Sequence, residues 1–88
     1  VEDENELSLL MFPNPTSQRV SIVMSEDYRN SVSEISIFDF SGRMVFRTFN
    51  KNIQDVDLST YNTGLYFIKV NTSSGSTTKS ILVEDKLV

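Results

Sequence analysis

Short runs rich in Val, Ile, Phe and Tyr alternate along the chain with turn residues, and within several runs apolar side chains recur at every second position. That period belongs to strands, whose successive side chains point to opposite faces, and the runs are too short for helices of ten or more residues. The pattern predicts seven strands, over Ser8–Phe12, Arg19–Met24, Glu34–Phe40, Arg43–Phe49, Ile53–Leu58, Leu65–Thr72 and Thr77–Glu84, with helix limited to one turn. Val20, Ile22 and Met24 share one face of their strand, and Tyr66, Ile68 and Val70 share one face of theirs, so both sets are expected in the core. Ile35 and Ile37 lie opposite Phe38 and Phe40 on a strand that is apolar on both sides, which predicts a central or shielded position. Several of the connections are too short for a crossover helix. The expected architecture is therefore all-β, an immunoglobulin-like seven-stranded antiparallel β-sandwich.

A chain of 88 residues makes one small domain, burying about 60–65% of the surface its unfolded form exposes. It contains no Cys and no His. Disulfide staples, thiolate nucleophiles and the general base most used near neutral pH are all missing, so no enzyme is expected and no catalytic residue is assigned. The formal charge of −4 comes from Glu2, Asp3, Glu4 and Glu6, because the remaining eight acidic groups match the eight Lys and Arg residues. A neutral body without a basic patch offers no footprint for nucleic acid. Residues 1–7 read as a flexible acidic linker, with the folded domain over 8–88. No apolar run reaches the ~20 residues that cross a bilayer, and nothing at Val1 resembles a signal segment, so the chain is expected neither to span a membrane nor to begin a precursor. Asp55 and Asp57 share a strand face, but two carboxylates without convergent partners make a weak Ca²⁺ site, and no metal or cofactor is assigned. Asn71-Thr72-Ser73 matches a glycosylation acceptor and reads as a turn.

Three turn-bearing phrases carry the remaining information. In Pro13-Asn14-Pro15 two prolines remove two backbone donors and push Asn14 toward extended geometry, so the first strand must end in a rigid corner, supported by Thr16 and Ser17. In Asp39-Phe40-Ser41-Gly42-Arg43 the Asp39 carboxylate is placed to cap a hairpin turn, with Gly42 in the left-handed conformation of a bulge and Arg43 projecting from it. From Asp57-Leu58 to Gly64-Leu65-Tyr66, Ser59 is a candidate cap for a single helical turn and Leu58 a plug for the sandwich end. Gly64 resets the chain into the next strand, and Tyr66 sits where a corner tyrosine bonds back to the preceding loop. Lys79 is the best exposed basic candidate on the last strand, where a bare charge otherwise serves to discourage edge pairing.

In order, spacing and position these phrases resemble the type A C-terminal sorting domains of the type IX (Por) secretion system of Bacteroidetes, from about Leu9 to Val83. Two departures stand out: Gln18 where relatives usually carry Gly, and Glu84–Val88 following the strand after which relatives typically stop. The resemblance implies a secretion signal for a larger cargo, with Pro13, Asn14, Pro15, Gly42, Arg43, Gly64, Tyr66 and Lys79 as the signal residues. It further implies passage through the periplasm, recognition by an outer-membrane translocon, removal by a sortase-like peptidase within the acidic linker, and a cargo attached at the cell surface or secreted. The alternative is an immunoglobulin-like accessory or adhesion module binding carbohydrate or a neighbouring domain, with Phe38, Phe46, Phe49 and Phe67 as an outward aromatic patch. A flexible leader before the first strand also makes a strand-exchanged dimer an expected partner state.

Overall fold

The computed structural model describes residues 9–13 and 18–84. Seven strands and one short helix follow in the order β1 (Leu9–Phe12), β2 (Arg19–Met24), α1 (Glu26–Ser31), β3 (Val32–Asp39), β4 (Met44–Thr48), β5 (Asp55–Asp57), β6 (Gly64–Thr72) and β7 (Gly75–Val83). Every strand pairing is antiparallel. One sheet has the order β1-β2-β5 and the other β4-β3-β6-β7, which makes the predicted two-sheet sandwich.

The core lies between the two inner faces. Leu9, Val20, Ile22, Met24 and Val56 come from the smaller sheet, and Ile35, Ile37, Tyr66, Ile68, Val70, Ile81 and Val83 from the larger, all buried. Each set follows the two-residue alternation of its strand, because a slip of one residue would turn every one of these side chains into water. Leu58, just past β5, is fully buried at the sandwich end, as expected of a plug. The strand that is apolar on both sides, β3, is indeed internal, paired with β4 on one side and β6 on the other.

Helix is found where none was predicted. Ser25 caps α1 by accepting from the Tyr28 amide at 3.2 Å, and Glu26 and Asp27 occupy the first turn, where the helix dipole favours negative charge. The anticipated turn after Ser59 is not a helix. There the Asp57 carboxylate accepts from the Ser59 amide at 2.9 Å, and Tyr61 donates to the Leu58 carbonyl at 3.0 Å, closing a single β-turn. A carboxylate two residues before the amide reaches it more readily than the shorter Ser59 hydroxyl reaches forward.

Register places the two ends of the sandwich. Phe12 pairs with Ser21 and Arg19 with Asp57, while Asp39 pairs with Tyr66, Phe38 with Met44 and Gly64 with Val83. The segment 58–63 ties these two groups together, so one end carries the end of β1, the β3–β4 hairpin, the β5–β6 connection and the end of β7. The opposite end carries the Leu9–Met24 pair, α1 and the β6–β7 turn.

Candidate functional site

The β3–β4 hairpin is built around one carboxylate. Asp39 Oδ1 accepts from the Ser41 amide at 3.0 Å, the Ser41 hydroxyl at 2.6 Å and the Arg43 amide at 3.0 Å. Its other oxygen, Oδ2, lies 3.2 Å from Arg43 Nε. The hydrogen bond from Ser41 above all, then those of the backbone and the Arg43 charge, hold the Asp39 carboxyl below the usual aspartate value. Gly42 completes the turn at φ +90°, where an L side chain is strained, and its amide donates to the Asp39 carbonyl at 2.9 Å. The register shift of this hairpin falls at Val45, the extra residue between the Phe38–Met44 and Ile37–Phe46 pairs.

The β5–β6 connection closes on the other side. The Tyr66 hydroxyl donates to the Asn62 carbonyl at 2.8 Å, the corner bond anticipated for it, and its ring is stacked on Tyr61 with centroids 5.3 Å apart. Burial, then the neighbouring Tyr66 and Asp57, raises the Tyr61 hydroxyl above its ordinary value. Gly64 opens β6 at φ +154°. Leu58 donates to the Gln18 carbonyl at 2.6 Å, which fastens this connection to the start of β2. At Gln18, where relatives usually carry Gly, the backbone does not take a positive φ, as at every other non-glycine among the described residues, so this position itself does not require glycine.

Between the two turns lies a cleft of about 260 Å³, lined by Asp39, Phe40, Arg43, Asn62, Thr63, Gly64, Leu65 and Tyr66. Arg43, Gly64 and Tyr66 thus line one cleft, with Gly42 beside Arg43 in its turn but not in the lining. Pro13 follows β1 at the same end of the sandwich, while Asn14 and Pro15 lie outside the described residues. Lys79 is elsewhere and is not exposed: it pairs with Ile68 in mid-strand, is half-buried, and shares its face of β7 with Ile81 and Val83. An inward-facing charge on an edge strand is one of the devices that discourage edge-to-edge pairing.

The proposed aromatic patch is broken up. Phe38 and Phe67 are cross-strand neighbours on the outer face of the larger sheet, but Phe46 pairs with Ile37 and packs half-buried against the core. The Val45 bulge accounts for this, since one extra residue shifts which side chains of β4 turn inward. Phe49 lies beyond β4, with Arg47 5.0 Å over its ring. Asp55 and Asp57 have Arg19 at 2.8 and 3.8 Å. The linker 1–7 and the tail 85–88 lie outside the described residues.

No curated protein matches the chain. The family described as "Secretion system C-terminal sorting domain" matches residues 10–84, which take in the seven described strands except Leu9 at the start of β1. That family is one of export signals and not a catalytic one. The chain belongs to it: this sandwich is a C-terminal sorting domain of type IX secretion, whose members mark proteins for export across the outer membrane to the cell surface or the medium.

Proposed function

We propose that this domain is the address of a larger precursor, carrying an N-terminal cargo domain from the periplasm to the outer-membrane translocon of the type IX system. After passage a sortase-like peptidase of that system removes the domain within the acidic residues 1–7, and the cargo is attached at the surface or released. An acidic segment poor in apolar residues suits a peptidase, which needs accessible backbone. The residues assigned to the signal are Pro13, Asn14, Pro15, Gly42, Arg43, Gly64, Tyr66 and Lys79. The reading is supported above all by one observation: in a member of the sorting family, two of the three turn phrases wall a single cleft and the Pro13 corner lies at the same end of the fold.

The test fuses Val1–Val88 to a periplasm-exported reporter in a Bacteroidetes host, with surface reporter compared between strains with and without a functional type IX system. Display that requires both domain and system supports the address. A folded fusion held in the periplasm of both strains overturns it and returns the domain to an accessory or adhesion role.

A further inference from the structure

We propose that the cleft between the Asp39–Arg43 turn and the Asn62–Tyr66 segment docks a partner peptide segment that presents a carboxylate beside an aliphatic or aromatic side chain. The proposal rests on the sorting reading only for the partner's place, in the secretion machinery. Its chemistry rests on the cleft.

Arg43 is a solvent-facing residue that is nevertheless held in place. Its side chain is 77% exposed, yet Nε is anchored on Asp39 Oδ2, and Asp39 is itself pinned through Oδ1 by Ser41 and the Arg43 amide. Anchoring through Nε leaves the edge formed by the two Nη groups facing away from Asp39, and no partner for that edge occurs among the described residues. That edge can take a carboxylate in two parallel hydrogen bonds, and an arginine already oriented loses less freedom when it does so.

The same cleft has an apolar wall. Phe40 is 78% exposed at the hairpin tip and Leu65 is 41% exposed at the start of β6. Phe40 contributes nothing to the core from there, although the turn itself requires no aromatic residue. An apolar side chain laid against Phe40 and Leu65 would exclude water from the neighbouring ion pair and so strengthen it. The volume of about 260 Å³ suits one or two side chains of a peptide and falls below the usual range for a cofactor pocket.

The test is a titration of the full chain with acetyl-Leu-Asp-Leu-amide, followed by backbone amide resonances, beside the neutral isostere acetyl-Leu-Asn-Leu-amide. The expected result is saturable shifts confined to Phe40, Arg43, Gly64 and Leu65, with binding weakened about tenfold for the neutral peptide or in Arg43→Gln. Phe40→Ser should weaken it comparably, and Arg47→Gln, on the same strand pair but outside the cleft, should not. Equal binding of both peptides, or shifts outside the cleft, overturns the proposal. So does binding that appears only when residues 85–88 are removed, which would make the chain's own tail the occupant, or cleft shifts that follow protein concentration without peptide, which would make it a second copy. Secretion plays no part in this readout, so its failure leaves the address standing, and failure of the reporter assay leaves the cleft chemistry standing.

Discussion

Asp39 and Tyr66 stand opposite each other at the ends of β3 and β6, and each holds a turn: Asp39 gathers the amides of Ser41 and Arg43, and the Tyr66 hydroxyl reaches back to Asn62. The pairing joins the hairpin that needs Gly42 to the connection that ends at Gly64. Disturbing one turn therefore moves a wall of the other, and effects on folding and on recognition have to be separated residue by residue.

Gly42→Ala is expected to lower the free energy of unfolding by about 1 kcal/mol or more. Nothing lies within 4 Å of the added Cβ, so the penalty comes from the backbone at φ +90° and not from a clash. Gly42→Asn should lose less, since Asn tolerates the left-handed region. Urea unfolding midpoints of the two variants check the order.

Tyr66→Phe keeps the buried ring and removes the 2.8 Å bond to Asn62, an expected loss of about 1 kcal/mol. Tyr61→Phe should lose less, because the Tyr61 hydroxyl lies 3.5 Å from the Val45 carbonyl. If thermal unfolding ranks the two the other way round, the corner bond is not what holds the β5–β6 connection.

Acid should loosen the hairpin through Asp39. Its folded value is lowered, so the stability it contributes is present above the unfolded value and is lost as pH falls through the folded one. Unfolding measured across a pH series should show stability decreasing below pH about 4, with a shallower decrease in Asp39→Asn. Tyr61 is raised, which reverses the sign: its contribution is present below the unfolded value and lost as pH climbs beyond about 10.

Lys79→Met tests the remaining basic candidate. The linear apolar side chain suits a half-buried position beside Ile81 and Val83, so the fold is expected to persist, while surface display of the reporter fusion should fall. Undiminished display from a folded variant removes Lys79 from the signal.

Most of the strands were legible because burial on one face imposes a period of two, and no competing helical period overlays Val20–Met24 or Tyr66–Val70. The hairpin of Asp39 and Gly42 was legible for a different reason, since few residue types satisfy its backbone. What escaped was set by more distant geometry. The helix after Ser25 has no buried residue, so no apolar stripe announces it, and only the Ser-Glu-Asp start could have done so. Phe46 turned inward because of a bulge that leaves no mark on composition, and Lys79 sits on an inner face that the alternation of Ile81 and Val83 already implied. The cleft itself was not legible, because it needs the pairing of β3 with β6, which brings residues 39–43 beside residues 62–66.

Each of the seven strands runs opposite to the one before it, and seven is odd. The backbone consequently reaches Leu9 beside α1 and finishes β7 beside Gly64, at the far pole. An even number of strands would have brought both ports to the same pole, with the start of the first strand beside the end of the last. Odd parity sets the start of β1 at the pole opposite the Arg43 hairpin, so the entry of the folded body and that turn lie a full strand length apart.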